Sequence, residues 1–551
     1  MKPLYSSRLP DLTLAFVLLL TVAYFLLTHE GLYDLDDYFY ARYAHQLASG
    51  TFRVEPDPLG LLHDPLKERW LIFGPVALLY RVFGIGIITT TLWPLLATLG
   101  CSLVIWATYR RHEPVVAAGA MLLLGLHYFT LNLTNYLYPD NILMFWCLCC
   151  GVALLKGRQA ARRPWRWGAG FALLNFAALL SKETIVYYLP CYLALLAVDV
   201  FRRRHARFWL AAAGVGVVML GAYLAFYQAY TNDALYRIHL IEHTNEYLKE
   251  GNFLGGNRGA LLARLTYLPL VFFVGTGLAG ALVLAGAAGL QRRLWLSPDA
   301  RFWLLLTFTT LAFYWLGSTS LSQYNPITLL PRMSTPLLPP LCLAAGFGLR
   351  SFLDSGRGGY WLTLLLLAAA AWLHNSVSVI YGLLALYFAG ATWWAARATE
   401  SSWRPGTGRF ARLALGTLAL ALSIRPVYFM GKPRVSAHFA QQRVISQQLA
   451  APARGVVFVD NFLVGNYDFY YGFQVPAGLR FRRYTAADSV QVGPGEQAWL
   501  LVNSRTLTNP ELTRKLIRSS EAEVLARFPR RRLLTQDQQV RLYRVELPPA
   551  D

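Results

Sequence analysis

Charge is what this sequence has least of. Asp, Glu, Lys and Arg together make up 15% of its 551 residues, against 55% hydrophobic, and the mean hydropathy is +0.37. A water-soluble chain of this length needs far more polar surface, so the composition excludes a soluble globular protein and points to one that crosses a bilayer many times. Acidic residues are scarcer than basic ones, 30 against 51, and lysine is nearly missing, with 7 in the whole chain. The formal charge of +21 would suit a nucleic-acid binder if the basic residues formed one patch. They fall instead in short loops between apolar runs, the signature of the positive-inside rule, and no nucleic acid is expected as a partner. Cysteine is scarce too. Cys101, Cys147, Cys149, Cys150, Cys191 and Cys342 all lie inside apolar stretches, which excludes a disulfide framework or a zinc knuckle. No small-residue cleavage site follows the first apolar run, 12–27, so it reads as a retained helix.

Long apolar runs are abundant. They recur at about 11–28, 85–109, 115–133, 141–156, 168–181, 184–201, 207–230, 264–290, 302–318, 332–350, 359–374, 377–396 and 410–430. A span needs about 20 apolar residues, fewer where the bilayer thins, so the pattern predicts a mostly α polytopic membrane protein with about thirteen transmembrane helices. Alternate loops carry Arg110 and Arg111, 156–166, 202–207, 292–301, Arg350 with Arg357, and 397–412, and these are expected to face the cytoplasm. The other set, 29–84, 136–140, 231–262 and 319–331, then faces outward, with the N-terminus cytoplasmic and the C-terminal tail outside.

After Lys432 the composition changes. Residues 438–449 read as an amphipathic helix, 455–460 and 498–502 as buried strands, and 540–545 as an alternating one. The division expected is a membrane domain over 1–431 and a soluble α/β domain over 432–551, an ordinary size for an independent fold. There is no internal repeat and no low-complexity linker.

The first outward loop, 29–84, is the most informative segment. Asp34, Asp36 and Asp37 fall within four positions directly after a span, and 38–48 then has helical apolar periodicity, which predicts a helix lying on the membrane surface. Capping at a helix N-terminus accounts for one aspartate, not for like charges packed side by side. The loop continues through Lys67-Glu68-Arg69-Trp70 to a second surface helix closing at Phe83-Gly84. Other ionisable groups gather on the same side: Asp140 in Tyr138-Pro139-Asp140-Asn141, Lys182-Glu183 at a turn, Arg237, His239, Glu242, His243 and Arg258 in 231–262, and Arg332 after Asn325-Pro326. His239 and His243 have a metal-like i, i+4 spacing, but no third ligand is in view. Each group also has a plainer reading: capping for Asp140, headgroup contact for Lys67, a local ion pair for Lys182 and Glu183.

An acidic pair, an aromatic-rich surface helix and a closing glycine after the first span resemble the GT-C superfamily of membrane glycosyltransferases. The resemblance is to its bacterial branch, with the lipid A aminoarabinose transferase, the lipopolysaccharide-core galacturonosyl transferases and the protein O-mannosyltransferase-like proteins. It covers most of residues 10–350 in topology through short, degenerate motifs. It implies an inverting transfer of sugar from a polyprenyl-phosphate donor to an envelope lipid, glycan or protein acceptor, on the outer face of a bacterial inner membrane. On this implication Asp36 and Asp37 are the catalytic carboxylates, although the family usually has Glu second and Asp34 competes for either role, and Asp140 assists. Lys67, lacking the family's following proline, Arg69, Arg258, Arg332 and Lys182 are donor-phosphate contacts, with His239 and His243 as loop contacts. No cofactor is required and no metal ligand set is assigned; a divalent cation is compatible with the chemistry. A flippase would show two corresponding halves with broken helices, and none is visible; a non-catalytic scaffold would have no use for the acidic pair.

Overall fold

The structure is a computed structural model that describes residues 8–32, 35–54, 66–247, 255–398, 401–432, 436–450, 452–461, 463–508 and 519–547. Asp34 lies outside the described residues, as does the side chain of His243.

All thirteen apolar runs are largely helical, but they are not thirteen equal spans. Eight described helices are long and apolar enough to cross a bilayer, or ten if each of two bent pairs forms one span. The bends are 59° between Pro114–Gly125 and the helical turns after Tyr128, and 64° between Arg258–Leu265 and Leu268–Gly275. The 264–290 run is therefore broken, and Ala279–Gly289 is a separate helix of 11 residues. Gly359–Trp372 has 14 residues, about 21 Å at 1.5 Å per residue, short of a hydrocarbon core of about 30 Å. The chain is a multi-pass membrane protein. Among the eight, the most enclosed is the span ending in Leu338–Ser355: with the turn before it, 89% of its most apolar window is buried inside the protein, against 11% for Ala206–Thr231, which is largely exposed.

Two helices follow the first span (Leu9–Thr28). Leu35–Ser49 carries Asp36 and Asp37 in its first turn, and Trp70–Phe83 ends on Gly84, whose φ of +79° suits a residue without a Cβ. Tyr40, Tyr43 and Ala44 of the former pack on Ile72, Phe73 and Val76 of the latter in one buried cluster.

Beyond the last span, Gly408–Met430, a small α/β unit starts at the Ala437–Gln448 helix, capped by Ser436. Its sheet runs β2-β1-β3-β5-β4, where β1 is Gly455–Val459, β2 Leu479–Arg483, β3 Gln497–Asn503, β4 Arg531–Asp537 and β5 Val540–Val545. β1 pairs in parallel with β2 and β3, and β5 antiparallel with β3 and β4. The three strands legible in the sequence are the central ones. The two edges are studded with arginine, the usual protection of an unpaired strand edge, and carry no apolar run to read.

This unit does not hang free. Tyr38 of the Leu35–Ser49 helix is buried and its hydroxyl bonds both His438 Nδ1 at 3.0 Å and the Tyr470 hydroxyl at 2.8 Å. Arg42 pairs with Asp468 at 3.2 Å and donates to the Gly465 carbonyl, and His45 stacks on Phe473 with centroids 4.5 Å apart. Gly31, at φ +88°, lets the chain pass so close that a Cβ there would sit 2.5 Å from the His438 ring. The Leu35–Ser49 helix is thus held between the neighbouring helices and the α/β unit.

Candidate active site

Helical geometry divides the Leu35–Ser49 helix into two faces. Tyr38, Ala41, Arg42 and His45 face the soluble unit; Asp36, Tyr40 and Tyr43 face the membrane helices. On the second face Asp36, a quarter exposed, accepts a hydrogen bond from Arg332 Nη1 at 3.2 Å. One turn on, the Tyr40 hydroxyl accepts from Arg69 at 3.0 Å. Arg69 also reaches both Glu183 carboxylate oxygens at 3.3 Å and lies 3.6 Å from Glu68. Glu183 takes a second guanidinium, Arg237, at 3.0 Å. Burial opposes the charge on both guanidiniums, but Tyr40, Glu183 and Glu68 outweigh it at Arg69, and Glu183 and Glu68 do so at Arg237, so both are held firmly protonated.

Beside this lies a deeper pair. Lys182 and Asp140 meet at 2.8 Å with both side chains almost wholly buried. Burial pushes the lysine below its usual value, Asp140 opposes that, and the nearby cations Arg332 and Arg69 add to it.

Three local devices bring these residues together. The span from Pro139 starts with proline at its first position, where no N–H is needed, so Asp140 sits in its first turn. The helix ending at Ser181 breaks at extended Lys182, and the turn Glu183–Tyr188 starts the next span. Tyr188 then bonds the Pro336 carbonyl at 2.8 Å, locking that turn against Pro331–Leu337, which presents Arg332. Arg264, with no exposed surface, gathers the carbonyls of Tyr314, Trp315 and Ile327 at 2.6–3.2 Å. It supplies donors to a helix C-terminus that has none of its own, and so anchors the segment leading to Arg332.

Of the residues expected to act, Asp36, Arg69, Arg332, Asp140 and Lys182 share this region. Asp37 is fully buried, next to Asp36 but a hundred degrees round the helix. Lys67 is half-buried in the turn before Trp70. Arg258 is exposed and shares no hydrogen bond or ion pair with the cluster among the described residues; His239 turns to Asp233 at 2.7 Å. Lys182 and Glu183 are not each other's ion-pair partner, as a local pairing would require: each has a partner from elsewhere in the chain. Sequence reasoning missed Tyr40, Glu68 and the bridging role of Glu183. The only signal was helical phase, which puts Tyr40 one turn after Asp36. Among the described residues no three His, Cys, Asp or Glu side chains are grouped to hold a metal ion. The arrangement offers a partly exposed carboxylate beside several fixed cations, the pieces that proton removal and anion binding need.

Residues 65–226 match the protein family described as dolichyl-phosphate-mannose-protein mannosyltransferase. No curated protein matches the sequence significantly. Among solved structures, the chain is similar to ArnT of Cupriavidus metallidurans bound to undecaprenyl phosphate, with 17% identity, 97% of this chain and 98% of that one covered, and a TM-score of 0.58. The apo form of the same protein gives 0.56 at the same identity and coverage. The oligosaccharyltransferase of Archaeoglobus fulgidus in its apo form is 11% identical over 92% of this chain and 70% of that one, with a TM-score of 0.51.

Proposed function

We propose, from a chain with the fold of the GT-C membrane glycosyltransferases, that the protein transfers sugar from a polyprenyl-phosphate donor to a hydroxyl or phosphate of an envelope lipid, glycan or protein. The observation that carries this reading is the Asp36–Arg332 contact at 3.2 Å, beside the Arg69–Glu183–Arg237 chain. On this reading the cluster and the soluble unit lie on the outer, periplasmic face of a bacterial inner membrane with the N-terminus in the cytoplasm, an orientation that the positive-inside pattern of the loops supports.

In this mechanism Asp36 is the general base. It takes the acceptor proton as the acceptor oxygen attacks the anomeric carbon from the face opposite the phosphate, so the configuration inverts. The bond from that carbon to the phosphate oxygen breaks, and the lipid phosphate leaves with the electron pair. Arg332, Arg69 and Lys67 stabilise the charge that develops on it, a task for which planar guanidinium suits phosphate. Asp140 and Lys182, joined to one another, fix the floor of the site and do not contact phosphate directly. Asp37 supports the first turn of the helix. Arg258 and His239 stand outside this machinery.

The test is mass spectrometry of envelope lipids and glycans from cells with and without the gene, followed by transfer assays with the purified protein on the donor so found. Asp36→Asn is expected to keep the fold and lose transfer by about 10²–10⁴-fold, the usual contribution of a general base. Wild-type turnover in that variant would remove Asp36 from the chemistry.

A further inference from the structure

The last span carries a second cationic feature, away from the Asp36 cluster. Arg425 lies one turn before its end, with its guanidinium 4.4 Å from the Tyr128 ring centroid and 4.7 Å from that of Phe429. Lys432, just past the helix, lies 5.0 Å from the same Phe429 ring and 4.6 Å from Tyr428. Neither cation has a carboxylate partner among the described residues, and the buried Nε of Arg425 has no hydrogen-bond partner there. In the Asp36 cluster, by contrast, the cations are matched: Arg332 with Asp36, Lys182 with Asp140, Arg69 and Arg237 with Glu183. Two positive charges are left over at one place.

An apolar groove of about 310 Å³ runs down the same helix. Leu386, Gly390 and Trp394 of the Ser376–Arg397 span form one wall, and Ala414, Thr417 and Ala421 of the last span the other. Positions 414, 417, 421 and 425 follow the three- and four-residue spacing of a single helical face, so the groove leads towards Arg425. The lining on this helix ends at Ala421, four residues or about 6 Å along the axis from Arg425, and Ala414 lies eleven steps or about 16 Å from it. Leu420, Ile424 and Val427 on the same helix are exposed apolar residues, so the groove and the cation adjoin a lipid-facing surface.

A basic side chain that merely snorkels needs water and nothing more. Here the guanidinium is laid on aromatic rings, with a donor nitrogen turned away from solvent, one helical turn beyond Ala421 at the end of the groove. We infer that the last span binds one anionic lipid, its phosphate headgroup on Arg425 and Lys432 and one acyl chain in the groove between residues 386–394 and 414–421. The site is separate from the proposed sugar transfer and stands whether or not that reading holds.

Native mass spectrometry of the delipidated full-length protein, titrated with dioleoylphosphatidic acid, tests it. Dioleoylphosphatidylcholine and diolein serve as controls for net charge and for the headgroup. Phosphatidic acid is expected to bind about tenfold more tightly than the choline lipid, and Arg425→Gln to remove about that factor, the scale of one charge-assisted contact. Lys432→Gln should cost about two- to threefold. Ala421→Trp, which plugs the groove and leaves both cations in place, should also weaken binding several-fold, and it keeps the test open if Arg425→Gln does not fold. Unchanged affinity in the folded Arg425 variant, equal binding of diolein, or displacement of the lipid by millimolar inorganic phosphate would each overturn the assignment.

Discussion

The two faces of the Leu35–Ser49 helix solve opposite problems with neighbouring residues. Asp36 and Tyr40 meet charged partners, and Asp36 keeps a quarter of its surface open. Tyr38, one residue from Asp37, is sealed against a neutral imidazole and a phenol. The first face is built from charges that can be exchanged for those of a ligand. The second is built from neutral groups whose hydrogen bonds close on one another, which resists exchange. A helix that carries a reactive carboxylate needs both: freedom for the carboxylate to meet substrate and rigidity for the backbone that aims it.

The contrast breaks most sharply at the carboxylates. Asp36→Asn should lower transfer by about 10²–10⁴-fold at unchanged thermal stability. Asp37→Asn should lower it less; equal losses in assays of the purified variants would mean that both carboxylates act in the chemistry. Next in size is the buried pair behind the open face. Lys182→Met leaves Asp140, with no exposed surface, as an uncompensated charge, and should cost about 3–5 kcal/mol of stability. The double variant Lys182→Met with Asp140→Leu should recover most of that loss in thermal unfolding. A single variant as stable as the parent would show that the pair is not desolvated.

Much of this contrast was legible before any coordinates. The apolar periodicity of 38–48 predicts a helix with the aspartates near its start, as Leu35–Ser49 is, and the change of composition after Lys432 marks where the α/β unit begins. Which face meets what was not legible. The partners lie far apart in sequence: 42 residues for Lys182 and Asp140, 114 for Arg69 and Glu183, 400 for Tyr38 and His438. Adjacent Lys182 and Glu183 suggested a local pair because sequence shows neighbours, not the extended backbone at Lys182 that sends them to different partners. The i, i+4 histidines suggested a shared role, yet His239 turns to Asp233, six residues back. Hydropathy also reads 115–133 and 264–290 as continuous runs. The bends inside them come from interruptions such as His127 and Pro269, whose effect depends on packing.

The sealed face should respond to pH. Burial, with His29 nearby, holds His438 down at about 3, against 6.5 for the free side chain, and Tyr38 and Tyr470 are the titratable groups bonded to it. A histidine kept neutral in the fold binds fewer protons than it does unfolded, so stability rises with pH between those two values and is lost on acidification below about 6.5. At pH 5 the loss is about 2 kcal/mol. Limited proteolysis of the soluble unit should accelerate from pH 7.5 to 5 in the parent and much less in His438→Gln. An identical acceleration in both would assign the effect to other groups.

The smallest expected effect tests whether the sealed face serves the open one. Tyr38→Phe keeps the ring and removes a hydroxyl that bonds both His438 and Tyr470. Those two remain within 3.2 Å of one another, so neither is left without a partner. The stability loss should therefore be only about 1–2 kcal/mol, the net worth of the lost bonds. If the soluble unit steadies the helix that aims Asp36, kcat should fall several-fold while the KM for donor stays put, because the phosphate contacts come from Arg69 and Arg332 on other elements. A raised KM at constant kcat would mean instead that the docked face shapes the binding site, and the division of labour between the two sides of the helix would have to be redrawn.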